Sequence, residues 1–298
     1  MRKIIIAILL LITLQSEGQI INASPAYRPV AASSCSYLLD QYSGAAAAYS
    51  LRKLDCDYSG YAVRVRRSSD NAEQDIGFTS TGDLDTATLK TFVSTNSGYV
   101  VTWYDQSGDV ANVAQSTSAN QPLIVDNGVV IRQKGNPSIY FDGSNDYLTI
   151  ASLTLNTYLS LYLVVKSPAH VLEQSNNAAS NNGFFFYGSS NASWLFRRTS
   201  LHYAYGVTDW TGGNFVLADL QYNGSGSYYK NSVVQSNSSI VGSALSNTST
   251  TAVFNIMARP TESLYFSGYV SELVIYDSDK SADASNIRNN INTYYSIY

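Results

Sequence analysis

The chain has 298 residues, of which 13% are charged, and its 18 Lys and Arg against 22 Asp and Glu leave a net charge of −4. An acidic, charge-poor protein lacks the basic surface that binding to a phosphate backbone requires, so the composition excludes nucleic acid as a partner. A chain of this length can bury a large core, and all-β sandwiches of about 200 to 250 residues commonly fold as one domain.

The first 18 residues are typical of a secretory signal peptide. Arg2 and Lys3 precede an apolar run over residues 4–14, and a polar stretch follows that run. The run is too short for a membrane helix, which needs about twenty apolar residues. We therefore expect cleavage near residue 18, a secreted or cell-surface protein, and no membrane span.

Residues 19–36 predict an irregular lead-in, and residues 37–298 predict a single domain. The chain has two cysteines, Cys35 and Cys56. In an exported protein they can form a disulfide that closes a loop of about twenty residues, worth roughly 3 kcal/mol in the chain-entropy model. Two buried free thiols are the alternative. Only two histidines occur, so the sequence does not indicate a metal site built from Cys and His.

Short runs of alternating polarity, separated by Gly, Asn, Asp and Ser clusters, predict an all-β fold. Valine alternates with arginine over residues 62–67, and four apolar side chains share one face over residues 157–167. The pair Asn231 and Ser232 predicts a tight hairpin turn. The arginines are expected on the solvent face of their strand and paired with nearby acids: Arg64, Arg66 and Arg67 with Asp70, Glu73 or Asp75.

Two helices are predicted. Asp85 can cap a short helix near 85–93, and a C-terminal helix near 282–295 places Ile287, Ile291 and Tyr294 at helical spacing. Residues 45–54 are compatible with either a helix or a strand.

Four motifs follow one another in the N-terminal half of the chain. They read GAAAAYSLR at 44–52, VRRSSD at 65–70, WYDQSG at 103–108 and FDGSNDYL at 141–148. Together they resemble the N-terminal half of the arabinofuranosidase B catalytic-domain family (glycoside hydrolase family 54). The late strand at 268–276 and the helix after it resemble the laminin-G-like group. The resemblance implies a concanavalin A-like fold, which is a two-sheet antiparallel jelly-roll sandwich.

The resemblance implies a glutamate nucleophile in the middle of the domain and an aspartate acid/base nearer its C-terminus. Between Tyr147 and Thr208 the sequence offers only Glu173, which we place in an Asn/Ser-rich loop, and the family's adjacent cysteine pair is missing. We interpret Asp105 as an acceptor that stabilises a turn. We interpret the remaining catalytic candidates as solubilising residues at loops or strand edges, with a catalytic pair among them as the alternative: Asp209, Asp219, Glu262 and Glu272.

These departures favour a secreted, non-catalytic, lectin-like protein that binds a polysaccharide or glycan. The 24 tyrosines suit neutral sugars, because ring faces stack on C–H groups and amides bind hydroxyls. The alternative is that Tyr is abundant because it favours strands. The binding candidates are aromatic residues that we place in Gly/Asn-rich loops, with polar neighbours: Trp194, Tyr203, Tyr205 and Trp210, with Asp209 and Asn214.

Two alternative functions and the presence of a calcium ion stay open at this point. One alternative function is an exported α-L-arabinofuranosidase or a related glycosidase, and a second is a structural or adhesive surface protein. No cofactor is indicated. A structural calcium ion is left open, because members of the resembled superfamily often hold one, although the chain has no EF-hand spacing.

Overall fold

The computed structural model describes residues 35–298, apart from 157, 168, 176–182, 189–192, 199–200, 207–213, 223–225, 235–238, 242–249 and 261–262. The chain divides into Met1–Cys35, of which only Cys35 is described, and a compact unit, Ser36–Tyr298. Neither cysteine is a free thiol, because Cys35 and Cys56 are both disulfide-bonded.

Strands dominate the described residues, with three α-helices and one short 3-10 turn at Ser118–Asn120. In chain order the elements are α1 (Leu38–Gln41), β1 (Ala47–Ser50), β2 (Val63–Arg67), β3 (Glu73–Ile76), α2 (Thr86–Val93), β4 (Gly98–Trp103), β5 (Val113–Ala114), β6 (Leu123–Asp126), β7 (Val129–Val130), β8 (Arg132–Gln133), β9 (Asn136–Pro137), β10 (Ile139–Asp142), β11 (Leu148–Leu155), β12 (Leu159–Lys166), β13 (His170–Ser175), β14 (Gly183–Gly188), β15 (Ser193–Arg198), β16 (Leu201–Gly206), β17 (Val216–Tyr222), β18 (Gly226–Lys230), β19 (Val233–Val234), β20 (Ser239–Val241), β21 (Thr250–Ile256), β22 (Ala258–Arg259), β23 (Leu264–Tyr265), β24 (Ser267–Tyr276) and α3 (Ala284–Tyr295).

The long strands pair antiparallel and form two layers, as the sequence predicts. The back layer has the order β18, β17, β12 and β24, with β1 and β10 both on the far edge of β24. The front layer has the order β3, β2, β4, β5, β11, β21, β13 and β14. Strand β6 pairs with both β4 and β10, so the hydrogen-bonded ladder is continuous from one layer to the other. The all-β sandwich is therefore confirmed.

The main core fills the space between the layers, and a second core lies behind the back layer. On β12, Leu161 and Leu163 point into the main core, whereas Tyr162 and Val164 point into the second. Helices α1 and α3 contribute Leu38, Ile287 and other apolar residues to this second core. The central back strands are therefore covered on both faces, and nearly every residue of β12 and β24 is buried.

The predicted local elements occur close to their expected positions. The Asp85 side chain accepts a hydrogen bond from the Thr88 N–H at 2.9 Å and caps α2, and α3 begins two residues after the predicted start. The ambiguous alanine segment forms strand β1, because it completes the edge of β24. Asn231 and Ser232 have φ of 50° and 63° and connect the β18–β19 hairpin. The short helix α1 was not predicted.

The arginine-rich strand follows the prediction in part. Arg64 pairs with Asp75 and Arg67 pairs with Asp70, each at 2.7 Å. Arg66 also lies on the outer face of the strand, but it is buried there, and its guanidinium binds Gln121, Asn71 and the Ser118 carbonyl instead of the predicted acids. Among the described residues, no helix combines the length and the apolar character that crossing a membrane requires.

Candidate functional site

Two of the predicted catalytic acids are buried structural residues. Asp219 accepts a hydrogen bond from Arg288 Nη1 at 2.8 Å, and Glu272 accepts hydrogen bonds from Arg52 Nε at 2.7 Å and Nη2 at 3.0 Å. Both carboxylates are fully buried on the back layer beneath α3. The prediction that they are solubilising residues at loops or strand edges is wrong, because the C-terminal helix covers the face on which they lie. Burial raises the pKa of Asp219 to about 6, and the positive charge of Arg288 opposes that shift.

The predicted location of Glu173 is also wrong. It lies on strand β13, not in a loop, and its neighbour Leu172 points into the main core. The Glu173 side chain is 1% exposed, and its Oε1 is 3.2 Å from Arg259 Nε. The run from His170 to Ser175 contains no Gly, Pro or Asn, which is the signal that would have indicated a strand. Glu173 is therefore sealed from solvent by its surroundings.

The predicted aromatic binding set is only partly described. Trp194 and Tyr205 are cross-strand partners on β15 and β16, and Tyr203 lies opposite Phe196 in the same pair. Their placement in loops is therefore wrong at the level of the backbone. Asn214 is exposed immediately before β17. Asp209, Trp210 and Glu262 lie outside the described residues.

The WYDQSG motif has a structural role, as predicted for Asp105. Its Oδ1 accepts hydrogen bonds from the Ala48 N–H at 2.7 Å and the Ser107 N–H at 3.0 Å. Its Oδ2 accepts from the Ser107 hydroxyl and from the Ala111 N–H. The carboxylate thus ties the turn after β4 to the edge strand β1.

A cavity of about 570 Å³ opens on the outer surface where β2, β4, β6 and β10 lie side by side. All of its lining residues fall between residues 66 and 146. The volume is within the range of about 300 to 1,000 Å³ that is usual for small-molecule sites. The residues that define its chemistry are Arg66, Tyr99, Gln121, Tyr140, Asp142 and Asp146.

Two carboxyl groups of different character face this cavity. Asp146 is 7% exposed, and its Oδ2 accepts a hydrogen bond from the Asp142 backbone N–H at 3.0 Å. Burial, and next the negative charge of Asp142, raise the pKa of Asp146 to about 7. Asp142 is exposed. The site therefore combines a carboxyl that holds its proton near neutral pH with a second carboxyl in water, which is the combination that acid/base chemistry uses.

Arg66 forms a rigid wall of the cavity. Its Nε donates to Gln121 Oε1 at 2.6 Å, its Nη1 donates to Asn71 Oδ1 at 2.8 Å, and its Nη2 donates to the Ser118 carbonyl at 3.2 Å. The guanidinium carbon lies 4.8 Å from the centre of the Tyr99 ring. These contacts hold the arginine and the ring in place before any ligand arrives. The sequence alone does not indicate this site, because its residues come from strands that are far apart in the chain.

Comparison with known proteins finds similarity in sequence and in fold. A family model described as "Alpha-L-arabinofuranosidase B, catalytic" matches residues 37–147. That segment includes every residue that lines the cavity. A search of curated proteins finds no match.

Three solved structures have a similar fold. A GH54 α-L-arabinofuranosidase soaked with a cyclic sulfate inhibitor has a TM-score of 0.59 at 15% identity. A glutamine-for-glutamate mutant of a GH54 α-L-arabinofuranosidase, soaked with 4-nitrophenyl α-L-arabinofuranoside, has a TM-score of 0.60 at 15% identity. An arabinofuranosidase complexed with arabinofuranosyl-α-1,2-xylobiose has a TM-score of 0.56 at 14% identity. Each alignment covers 83% of this chain and 62% of the other.

At these identities the structural likeness shows the fold alone. The chain spans about 62% of the length of those structures, and the laminin-G-like character of its C-terminal part stays a prediction. The chain is thus an all-β sandwich that is similar to GH54 arabinofuranosidases in fold, and its residues 37–147 match the arabinofuranosidase B catalytic-domain model.

Proposed function

We propose that this protein is an exported glycoside hydrolase of the α-L-arabinofuranosidase type, and that an arabinofuranose-bearing glycan binds in the cavity at Asp142 and Asp146. One observation carries the proposal: the segment that matches the arabinofuranosidase B model supplies the whole lining of an open cavity that contains two carboxyl groups. The fold likeness to arabinofuranosidase structures supports the same assignment.

The carboxyl groups at the cavity are favoured over the other acids as catalytic residues because a substrate can reach them. Glu173, Asp219 and Glu272 are each at most 1% exposed and each is paired with an arginine. Glycoside hydrolysis needs one carboxyl to protonate the leaving oxygen and another to act as a base or nucleophile at the sugar carbon. In the described part of the chain, other cavities are also bordered by a pair of carboxyl groups, Asp109 with Asp277 and Asp55 with Asp57. The pair at Asp142 and Asp146 is favoured because Asp146 is buried and its pKa is raised to about 7.

The proposed roles follow from the environment of each group. Asp146 holds its proton up to about pH 7, so it donates that proton to the leaving oxygen as the glycosidic bond breaks. Asp142 acts as the carboxylate that assists the attack on the sugar carbon. Water supplies the hydroxyl and the proton of the two products. Activity is expected to fall as the pH rises through about 7, because Asp146 then loses the proton that it must donate.

The test is release of 4-nitrophenol from 4-nitrophenyl α-L-arabinofuranoside by residues 19–298. Asp146→Asn should lower kcat by about a hundredfold or more, which is the usual contribution of a positioned general acid. Asp126→Asn is the control, because Asp126 is an exposed carboxylate on the neighbouring strand β6. Equal activity of wild type and Asp146→Asn would reject this assignment of the acid.

A second candidate function is non-catalytic glycan binding in the same cavity. The observation in its favour is that Asp142 Oδ1 already accepts hydrogen bonds from the Ser144 N–H at 2.7 Å and the Asn145 N–H at 3.3 Å. A carboxylate that holds a turn is less free to attack a substrate. Absence of nitrophenol release, together with binding of arabinoxylan measured by calorimetry, would favour this function over hydrolysis.

A further inference from the structure

A row of side chains that includes three tyrosines extends from the cavity across the ladder that joins the two layers. The row follows cross-strand partners on six adjacent strands, in the order Arg66, Tyr99, Leu123, Tyr140, Tyr269 and Lys166. The strand neighbours Val65, Val100 and Val270 point into the main core. Because side chains alternate along a strand, the row itself faces outward.

The tyrosine rings are partly accessible, with the Arg66 guanidinium over the Tyr99 ring and the Lys166 ammonium over the Tyr269 ring. Tyr99, Tyr140 and Tyr269 are half-buried, so each presents part of its ring to solvent. The centres of the Tyr140 and Tyr269 rings are 5.0 Å apart. Within the described residues, none of the three hydroxyls makes a hydrogen bond to the protein. A phenol that has no partner in the protein can donate to or accept from a ligand hydroxyl.

The loops beside the row are held in place before a ligand binds. Asn145 Nδ2 donates to the Ala119 carbonyl at 2.8 Å and to Asn120 Oδ1 at 3.1 Å. These bonds connect the turn after β10 to the 3-10 turn at Ser118–Asn120. A site whose walls are already ordered loses little entropy when it binds a ligand, which favours affinity.

We propose that Tyr99, Tyr140 and Tyr269 form a stacking platform that binds a neutral oligosaccharide segment of a polysaccharide. The proposal rests on the proposed function for the location of the reacting sugar, and it adds the class of substrate: a polymer and not a short glycoside. Strands are about 4.8 Å apart, so the three strand spacings from Tyr99 to Tyr269 span roughly 14 Å. That distance exceeds one sugar ring.

Charge favours a neutral ligand over an acidic one. Three of the five N–H donors of Arg66 are already used by Gln121, Asn71 and Ser118. The Lys166 ammonium lies 5.6 Å from the centre of the Tyr269 ring, at the far end of the row. A uronic acid in the cavity would therefore meet the Asp142 carboxylate, while most donors of the neighbouring guanidinium are already bound within the protein.

Affinity gel electrophoresis of residues 19–298 in arabinoxylan, linear arabinan and polygalacturonate tests the platform. Tyr269→Ala and Tyr140→Ala should each weaken binding to a neutral polymer by about tenfold, since an aromatic contact is worth up to about 1.5 kcal/mol beyond its buried area. Tyr158→Ala is the matched control, because Tyr158 is a 45% exposed tyrosine that lies outside the row. Circular dichroism and thermal unfolding confirm that the variants remain folded.

Hydrolysis provides a separate readout. Tyr269 does not line the cavity, so Tyr269→Ala should raise KM for arabinoxylan and leave turnover of 4-nitrophenyl α-L-arabinofuranoside unchanged. One outcome would separate the two proposals: the protein shows no hydrolysis of any substrate, yet its binding to a neutral polymer depends on Tyr140 and Tyr269. In that case the platform is supported and the proposed hydrolase function is rejected.

Three results would overturn the platform. One is that no polysaccharide retards the wild-type protein. The second is that folded Tyr140→Ala and Tyr269→Ala bind as tightly as the Tyr158→Ala control. The third is retardation by polygalacturonate alone, lost in Lys166→Met and kept in Tyr140→Ala, because that pattern would indicate an ionic site.

Discussion

Asp219 Oδ2 lies 2.8 Å from Arg288 Nη1, so a buried ion pair joins the back-layer strand β17 to the C-terminal helix α3. Both side chains are nearly inaccessible to solvent. The Arg288 guanidinium carbon also lies 4.1 Å from the centre of the Tyr229 ring. The arginine therefore links the helix to two strands of the sandwich, because Tyr229 belongs to β18.

Arg288→Met should destabilise the protein by about 3 to 5 kcal/mol, because it leaves the Asp219 carboxylate buried without its partner. The double variant Asp219→Asn/Arg288→Met should recover much of this loss, since it removes both charges. Urea unfolding followed by tryptophan fluorescence measures both free energies. A single variant that loses less than about 1 kcal/mol would show that the pair does not hold α3 to the sheet.

Stability should depend on pH through Asp146. Its pKa is about 7 in the folded protein, against an ordinary value of 3.8, so the folded state binds the proton more tightly than the unfolded state does. The stabilisation is fully present below about pH 4 and is lost as the pH rises through about 7. The free energy of unfolding of the wild type, relative to Asp146→Asn, should therefore fall between pH 4 and pH 7.

The asparagine variant is suitable for this comparison because its side-chain oxygen can still accept the Asp142 N–H while it cannot titrate. Subtracting its unfolding free energy at each pH removes the contribution of the other carboxylates, Asp219 included. A difference that stays constant from pH 4 to pH 7 would contradict the assignment of a raised pKa to Asp146.

Gly268 should be intolerant of any side chain. A Cβ atom at this position would lie 2.5 Å from the Ser167 Cβ and 2.7 Å from the Lys166 carbonyl oxygen. Because β12 and β24 are packed at this close distance, Gly268→Ala must push the two strands apart, and we expect a loss of about 1 to 3 kcal/mol.

Gly77→Ala is the matched control for that substitution, because its added Cβ would meet only the Tyr61 ring at an ordinary 3.6 Å. Thermal unfolding of the two variants should separate them by several degrees. Equal melting temperatures would show that the strands adjust without cost. Loss of polymer binding in Gly268→Ala is also expected, since Tyr269 is the next residue along the strand.

The sequence predicted well the features that depend on a few neighbouring residues. Asp85 caps its helix because the capping bond joins residues three apart, and Asn231 and Ser232 form a turn because their backbone tolerates positive φ. Glu173 was misplaced because its strand is short and precedes a polar stretch. Asp219 and Glu272 were misjudged because nothing local to β17 or β24 reveals that α3 covers them.

The amino-acid sequence by itself determined the all-β class, the alternating strands, the two main helices and the likeness to arabinofuranosidase B. Each of these depends on the spacing of apolar residues, on capping residues or on motifs within contiguous segments. Only the tertiary structure decided which acids are buried and paired with arginines and which line a cavity. Burial and pKa depend on neighbours contributed by distant segments: Arg66, Tyr99, Tyr140 and Asp146 meet only when their strands have paired.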